Sequence, residues 1–380
     1  MSSYQNVMGR GKRNLELDGL RGIAVVMVLA WHFIGIPAWL SPGDFQQAVF
    51  RAFLFGGAGV NLFFILSGFL ITRIALKNSA ERTRFLFVFY MRRALRILPP
   101  YFLLLALFYL IIWLGVRDEI FDLTIPLWRF VTFTQNFWMD TNNSYGPDGI
   151  GVTWSVAIEE QYYLFFPLFF LLFRRYIGLV LALTALVSVV FRAYLIIADP
   201  LANAYAVDLN TFARLDGLAL GGIIAFIFND KLSEYLVQNK LIFKYLLLAM
   251  LPLLIFVDRI SAVNMALFGQ TYLNIFFAIV LINVMLNLGG IGFFMAILRS
   301  DCLIWFGRIS YSLYLFHPLI LACVLSLFKT PKGLNGVREC VLLAVAFFIS
   351  LAVSKFIYKW VENPLIRFSH KFQYGGVLHD

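Results

Sequence analysis

Hydrophobic runs of membrane-spanning length follow one another along almost the whole chain. Each is close to the ~20 residues that cross a bilayer. They lie near residues 20–37, 58–76, 97–116, 156–173, 177–197, 212–229, 242–258, 270–288, 308–328 and 338–360. Hydrophobic residues make up 61% of the 380 residues, against roughly 45–50% in an average soluble protein. The sequence therefore predicts an all-α, polytopic transmembrane helix bundle of about ten spans.

Lysine and arginine are distributed unevenly among the predicted loops. An even number of spans puts both termini on one side of the membrane, and most of the cations share that side. They are Arg10, Lys12, Arg13, Lys77, Arg82, Arg84, Arg92, Arg93, Arg96, Arg174, Arg175, Lys231 and Lys240. Because cytoplasmic loops carry an excess of Lys and Arg, both termini are expected to be cytoplasmic. Topology thus explains most of the net charge of +10, and no nucleic-acid partner is expected.

The first hydrophobic run is predicted to be a retained helix rather than a signal peptide. It follows a basic segment, but it lacks a small-residue cleavage site and carries Arg21 and His32.

The three cysteines, Cys302, Cys323 and Cys340, have neither disulfide-rich nor metal-ligand spacing. We therefore expect no metal site and no tightly bound cofactor.

Two ionisable residues share one face of the first helix. Arg21 and His32 are eleven residues apart, which gives about three turns and roughly 16 Å of rise. Ionisable side chains inside spans are costly and are functional as a default hypothesis. Arg21 fits an interfacial anchor or a ligand-binding group. His32 lies too deep to reach water, which leaves a structural histidine or a proton-transfer group.

Three arginines, Arg92, Arg93 and Arg96, stand at the cytoplasmic mouth of the third span. Guanidinium groups are always charged and bond phosphates bidentately. Positive-inside topology alone also explains arginines at this place. The cluster therefore predicts either a phosphate-binding site or a topological anchor.

Two adjacent carboxylates open the fourth span from the outside. Glu159 and Glu160 follow Trp154 and Ser155 and precede Tyr163, so they lie about one to two turns into the helix. At least one of them must face a partner or water within the membrane. Such a carboxylate can orient an imidazole, accept a hydroxyl proton or bind a sugar. A structural bond to a neighbouring helix is the alternative.

Two later spans also carry polar side chains. Ser310, Tyr314 and His317 form a stripe on the ninth span. The proline after His317 frees a backbone carbonyl, so this histidine either lines a site or repairs the kink. Arg214 and Asp216, at the outer start of the sixth span, are expected to pair with each other.

Small residues are frequent in the second span, which contains a glycine cluster and the pair Ser67 and Gly68. Close helix packing is the leading explanation for them. On the predicted span map, Ser67 shares the outer half of the membrane with His32, His317 and the two glutamates. This coincidence predicts a buried polar chamber.

Seven segments, taken in order, resemble the acyltransferase-3 family of multi-pass membrane acyltransferases. They are Leu17–Gly22 with His32, Gly59–Ile71, Tyr90–Pro99, Trp154–Tyr163, Arg214–Gly217, Ser310–Pro318 and Glu362–Pro364. The resemblance implies an Arg-x10-His motif, met by Arg21 and His32, and an Arg-Arg-x-x-Arg motif, met by Arg92, Arg93 and Arg96. It also implies transfer of an acyl group, usually acetyl, to a sugar hydroxyl or a similar acceptor.

The resemblance also suggests a domain organisation. An acyltransferase-3-like transmembrane domain is expected over residues 1–366, followed by a short cytoplasmic tail over 367–380. Some family members carry a C-terminal extracytoplasmic hydrolase-like domain, and none is expected here.

Residues and resemblance together suggest a mechanism. Acyl-CoA, most often acetyl-CoA, would be the co-substrate, held through its phosphates by Arg21, Arg92, Arg93 and Arg96. His32 would act as general base or as an acyl relay, with Glu159 or Glu160 orienting the imidazole or the acceptor. The expected substrate-binding residues are Ser67, Trp154, Ser155, Tyr163, Arg214, Asp216, Tyr314 and His317.

The partners expected besides acyl-CoA are membrane lipid and a carbohydrate acceptor such as O-antigen, capsule or another surface glycan. The resemblance points to a bacterial inner membrane. A transporter or flippase of a lipid-linked glycan is the main alternative, because intramembrane charges also mark transport pathways. A non-catalytic membrane scaffold is the third interpretation.

Overall fold

The computed structural model describes residues 14–115, 121, 123–199, 205–229, 232–257, 265–288 and 292–374. Every regular element within these ranges is helical, which confirms the predicted all-α class. The first half contains α1 Leu15–Ala30, α2 Ile36–Trp39, α3 Asp44–Phe53, α4 Gly59–Asn78, α5 Arg82–Trp113, α6 Leu127–Val131, α7 Gln135–Thr141, α8 Thr153–Leu172 and α9 Ile177–Ala198. The second half contains α10 Ala206–Leu209, α11 Thr211–Asn229, α12 Leu232–Gln238, α13 Lys240–Val257, α14 Gln270–Leu286, α15 Phe293–Leu298, α16 Asp301–Leu327, α17 Val337–Ile357 and α18 Asn363–Ser369.

Seven helical segments within the described residues are long and apolar enough to cross a membrane. They are Leu15–Trp39, Asp44–Asn78, Arg82–Trp113, Arg174–Ala198, Thr211–Asn229, Asp301–Leu327 and Val337–Ser369. The other three predicted spans, 156–173, 242–258 and 270–288, coincide with α8, α13 and α14. The number of crossings and the side of the termini stay predictions. Residues 375–380 of the predicted tail lie outside the described residues.

Glycines allow two pairs of helices to approach closely. A Cβ atom added at Gly68 of α4 would collide with the backbone of Leu218 in α11, and one at Gly221 would collide with Ile65. Helix α1 meets α16 in the same way, because a Cβ at Gly307 would overlap the carbonyl of Asp18. Small residues at such interfaces let helix backbones approach within van der Waals contact. The packing explanation for the glycines of the second span thus fits the structure.

The first spanning helix is interrupted by a π-turn that the sequence pattern did not indicate. Residues Trp31–Gly35 form this wider turn between α1 and α2, and the turn contains His32. A second π-turn, Tyr358–Glu362, joins α17 to α18. Single π-turns inside α-helices are frequent at functional sites, because they push one residue out of the regular helical register.

We expect Gly68→Ala or Gly221→Ala to lower thermal stability, because the added methyl group meets backbone atoms that cannot rotate away. Overpacking of this kind costs on the order of 1–3 kcal/mol. Thermal unfolding of the detergent-solubilised protein measures the effect. The matched control is Gly292→Ala, where an added Cβ has no atom within 4 Å. Equal melting temperatures for all three variants would contradict this account of the packing.

Candidate active site

Two histidines from different helices meet inside the bundle. The ring centroids of His32 and His317 are 4.8 Å apart, and the rings stand edge to face. His317 is completely buried on α16, whereas His32 retains partial exposure on its π-turn. Helices α1 and α16 are packed along each other, so the histidine pair is held between two rigid elements.

Hydrogen bonding fixes the tautomer of both rings. The Nδ1 atom of His32 lies 2.9 Å from the carbonyl oxygen of Val28, and Nδ1 of His317 lies 2.9 Å from that of Leu313. A carbonyl oxygen can only accept, so each Nδ1 carries the proton and donates it. In the neutral ring Nε2 is then the unprotonated, basic nitrogen. Nε2 of His317 is buried without a hydrogen-bond partner among the described residues. The histidine pair therefore places two unprotonated Nε2 atoms inside the membrane domain.

A layer of aromatic and hydroxyl groups lies next to the histidines. Tyr314 is one turn before His317 on α16, and their ring centroids are 6.2 Å apart. The Tyr314 hydroxyl is 2.6 Å from Oγ of Ser155 and donates to the Val152 carbonyl at 3.2 Å. Phe63 of α4 meets the Tyr314 ring edge to face at 5.9 Å. The predicted stripe on α16 thus faces the site, and α8 supplies its partner.

A cavity with about 760 Å³ of empty space, partly open to solvent, begins at Tyr314 and Phe63. Eight of its lining residues are ionisable or hydroxyl-bearing groups that were predicted for the site. They are Arg21, Ser67, Arg93, Arg96, Ser155, Glu159, Tyr163 and Tyr314. Ser310 and Tyr311 also line it. Of the predicted polar chamber, Ser67 and Glu159 line the cavity, whereas Glu160 does not. The histidine pair does not line it either and lies next to its Tyr314 end.

The opposite end of the cavity is cationic. Arg21 of α1 and the two α5 residues Arg93 and Arg96 line it. Arg21 also forms an ion pair with Asp18 at 2.9 Å. The guanidinium of Arg93 lies 5.3 Å from the ring centroid of Tyr163, which is within cation–π range. These side chains can bind an anionic group at this end of the cavity.

The two adjacent glutamates have different surroundings. Glu159 lines the cavity, where its carboxylate accepts from Ser67 Oγ at 2.5 Å, and Ser67 Oγ in turn accepts from Tyr163 at 3.0 Å. An oxygen of Glu160 is buried without a hydrogen-bond partner in the described part of the chain. The structure gives neither glutamate a hydrogen bond to His32 within those residues. Glu159 thus lines the same cavity as the arginines and is not bonded to the imidazole of His32.

Arg92 points away from the cavity that Arg93 and Arg96 line. Its Nε atom donates to the carbonyl of Phe372 at 2.8 Å, and its guanidinium lies 4.9 Å from the ring centroid of Tyr374. Consecutive residues of an α-helix project about 100° apart. Arg92 and Arg93 therefore project to different sides of α5, and Arg96 lines the cavity together with Arg93.

The expected pairing of Arg214 with Asp216 is wrong. Asp216 binds Arg192 at 2.7 Å, whereas Arg214 lies 3.6 Å from Asp208 and bonds to Asn61 at 3.2 Å. Residues two apart on a helix point to different sides, so they cannot face each other. Neither residue lines the cavity.

Arg214 nevertheless lies close to the cavity. Its guanidinium stands over the rings of Phe64, at 5.4 Å, and Trp154, at 5.8 Å. Phe64 is a cavity-lining residue, whereas Trp154 is not. Arg214 therefore supports the cavity wall from behind rather than facing a ligand in it.

Arg192 and Glu362 are buried charged residues that were not among the predicted site residues. Arg192 lies in the middle of the apolar helix α9 and is fully buried. Glu362 sits in the second π-turn and accepts from Ser312 at 2.6 Å. The rule that an ionisable residue within a span needs a partner would have found Arg192. Glu362 was noted only as part of a family-like segment.

A lysine from the loop before α17 acts on the histidine pair. The ammonium of Lys332 acts electrostatically on both His32 and His317, and it lies 3.7 Å from the carboxylate of Asp148. This contact joins the loop before α17 to the segment between α5 and α8. Residues 116–120 and 122 of that region lie outside the described part of the chain.

We expect Asp216→Ala to destabilise the protein strongly, by about 3–5 kcal/mol, because it leaves the buried guanidinium of Arg192 without its carboxylate. Asp148→Ala is the matched control. Its pair with Lys332 is half exposed, and such pairs contribute about 0–1 kcal/mol. Thermal or denaturant unfolding in detergent compares the two variants. A loss for Asp148→Ala as large as that for Asp216→Ala would contradict the assignment.

The similarity of this chain to known proteins extends over most of its length. A family model described as an acyltransferase domain matches residues 14–359. The O-acetyltransferase OatA of Staphylococcus aureus strain NCTC 8325 / PS 47 is 25% identical over 363 residues, covering 92% of this chain and 56% of that protein. A second S. aureus protein, SACOL0978 of strain COL, is named provisionally as an O-acetyltransferase and is 26% identical over 370 residues, with the same coverages. The chain thus spans about half the length of these relatives, 56%. No solved structure matches it.

Proposed function

This chain belongs to the acyltransferase-3 family, and from that membership and the site geometry we propose that it is a membrane-embedded O-acyltransferase. It moves an acyl group, acetyl in the first instance, from acyl-CoA to a hydroxyl of a carbohydrate acceptor. The observation that carries the proposal is the orientation of His32. Its Nδ1–H is bound to the Val28 carbonyl, so the basic Nε2 is left for proton transfer beyond the cavity.

The cationic end of the cavity is the proposed site for the donor's phosphates. Arg21, Arg93 and Arg96 line it and offer charged N–H groups for bidentate bonds. The rise from Arg21 to His32 along the first helix is about 16 Å. A donor anchored at the arginines would extend its pantetheine arm through the cavity and bring the thioester toward Tyr314 and the histidines.

At that end, His32 acts as general base. Its Nε2 takes the proton of the acceptor hydroxyl as the oxygen attacks the thioester carbonyl, and the CoA thiolate leaves with the electron pair of the broken C–S bond. General base catalysis of this kind contributes typically 10²–10⁴-fold. His317 lies against the ring of His32 and would stabilise the proton that His32 gains, either directly or through a shared water.

An acyl-histidine relay is the second route. In it, Nε2 of His32 attacks the thioester and carries the acyl group before the acceptor hydroxyl takes it. The fixed tautomer supports both routes, since each needs an unprotonated Nε2. Trapping of a labelled acyl group on His32 in the absence of acceptor separates them.

Glu159 has a different proposed role from the one expected for it. It lies with Ser67, Tyr163 and Arg93 in the cavity. There it would hold the arginine-lined end in shape and limit its positive charge, instead of orienting His32. Glu160, which does not line the cavity, is not assigned to the chemistry.

The acceptor would approach from the predicted outer side, which in this proposal carries the ion pair of Lys332 and Asp148. The proposed acceptor is a glycan of the cell surface, such as O-antigen or capsule. A donor on one side and an acceptor on the other explain why polar residues extend through the bundle. The proposed location is a bacterial inner membrane.

We expect His32→Ala to lower acceptor-dependent release of CoA from acetyl-CoA by about 10²–10⁴-fold, because the variant lacks the general base. Purified protein in lipid, supplied with a mixture of surface glycans, provides the assay. His370→Ala is the matched control, since His370 is exposed and lies after the last described helix.

Either of two results would contradict the proposal. Equal CoA release by the wild type and a folded His32→Ala variant would remove the catalytic role of this residue. Movement of a glycan across the membrane without consumption of any acyl donor would favour the transporter interpretation.

We expect Arg93→Gln to raise the KM for acetyl-CoA with little change in kcat, because it removes a charged bond to the donor far from the reacting carbonyl. A hydrogen bond to a charged group contributes about 1.5–3 kcal/mol, so the KM should rise by about tenfold or more. Arg175→Gln, an exposed cation beside Tyr176, is the matched control. A fall in kcat at unchanged KM would place Arg93 at the chemistry instead.

A further inference from the structure

The four residues after His370, the C-cap of α18, form a strap along helix α5. The strap, Lys371–Tyr374, leaves α18 through backbone bonds from Lys371 to Phe368 and from Phe372 to Ser369. Two arginines of α5 then hold it by its own carbonyl groups. Nε of Arg92 donates to the Phe372 carbonyl at 2.8 Å, and Nε of Arg84 donates to the Gln373 carbonyl at 3.1 Å.

Aromatic contacts seat the strap against the same helix. The Phe372 ring meets Phe87 edge to face at 5.9 Å, and the Tyr374 ring lies 6.1 Å from the buried Phe85. The Arg92 guanidinium covers the face of Tyr374 at 4.9 Å. Burial raises the pKa of Tyr374, so its phenol stays neutral at physiological pH.

The strap also adjoins the cationic end of the cavity. Tyr374 interacts electrostatically with Arg92 on one side and with the cavity-lining Arg93 on the other. Arg92 and Arg93 are neighbours in sequence, so the strap and the cavity share this short stretch of α5. A ligand that extends out of the cavity past Arg93 would meet the strap next.

The bonds that hold the strap are weaker than those that an anion would form. A carbonyl oxygen is neutral and takes a single N–H from each guanidinium here. A phosphate is charged and commonly takes two parallel N–H groups from one arginine. Arg84 also lies 4.0 Å from Glu81, but this pair is exposed and contributes little.

We propose that Arg84 and Arg92 form an additional phosphate subsite, which the strap covers until phosphate groups of the donor displace its carbonyls. The subsite takes phosphate monoesters or diesters, and we assign them to the nucleotide end of acyl-CoA. Arg93 and Arg96 serve the part of the donor inside the cavity, and Arg84 and Arg92 serve the part outside it. This inference rests on the proposed function.

A nitroxide spin label on the strap tests the proposal through its electron paramagnetic resonance spectrum and needs no catalytic turnover. The probe is a maleimide nitroxide on Gln373→Cys, an exposed position whose backbone alone is bonded, in protein with Cys302, Cys323 and Cys340 replaced by serine. The protein is placed in nanodiscs of neutral lipid. We expect an immobilised spectrum without ligand and a mobile spectrum with acetyl-CoA. S-acetylpantetheine, which has the same arm without phosphates, should leave the strap immobilised.

Substitution of Arg84 and Arg92 provides the second part of the experiment. Arg84→Gln together with Arg92→Gln should make the nitroxide mobile without ligand and insensitive to acetyl-CoA. Arg82→Gln is the matched control, because Arg82 begins the same helix, is exposed, and has no bond to the strap among the described residues. This control should retain the wild-type response.

The remaining outcomes are distinguishable. If acetyl-CoA raises the melting temperature of the protein but the strap stays immobilised, this inference is overturned and the proposed donor stands. If acetyl-CoA changes neither readout at saturating concentration, the proposed donor fails and the inference falls with it. Mobility caused by anionic phospholipid in the nanodisc, and not by acetyl-CoA, would overturn the assignment to the donor and identify a lipid headgroup as the ligand.

Discussion

A polar group inside a membrane-spanning bundle has no water to bond, and it must therefore find its partner within the protein. This constraint organises the centre of the molecule. Each histidine uses one nitrogen on the carbonyl four residues before it, and Arg192 is fully enclosed with the carboxylate of Asp216. Against this background, the second nitrogen of His317 is an exception, since it has no partner among the described residues. Its place beside His32 makes this nitrogen available to a bonding partner that arrives with a substrate.

The charged and the neutral polar groups of the bundle occupy two different zones. Arginines occupy one end of the cavity, neutral imidazoles lie beyond the other, and Tyr314 with Phe63 stands between them. This separation keeps anionic groups that bind at the arginines away from the imidazoles, whose protonation they would favour, and it lets a long donor contact both zones. The close contacts at the glycines of α4, α11 and α16 hold the zones in register, because helices packed this tightly cannot slide.

The sequence predicted much of this arrangement, for identifiable reasons. Hydrophobic runs predicted the helices, and the cost of buried charge pointed to Arg21, His32 and Glu159. Other features depend on geometry that spacing does not contain. The motif of Arg92, Arg93 and Arg96 could not show which residue faces the cavity, because neighbours on a helix point about 100° apart. The pairing of Arg214 failed for a related reason, since its partners come from other segments. The contact between α5 and the strap joins residues far apart in sequence and has no local signal.

The π-turn at Trp31–Gly35 places a constraint on chain length as well as on composition. Such a turn accommodates one residue more than the α-helix around it. Shortening the first helix by a single residue here would restore a regular α-helix and leave its hydrophobicity almost unchanged. Because the wider turn absorbs the extra residue, the helix on either side would keep its register, and only the displacement of the turn's own residues, His32 among them, would be lost. The number of residues in this turn is thus as much a constraint as their type.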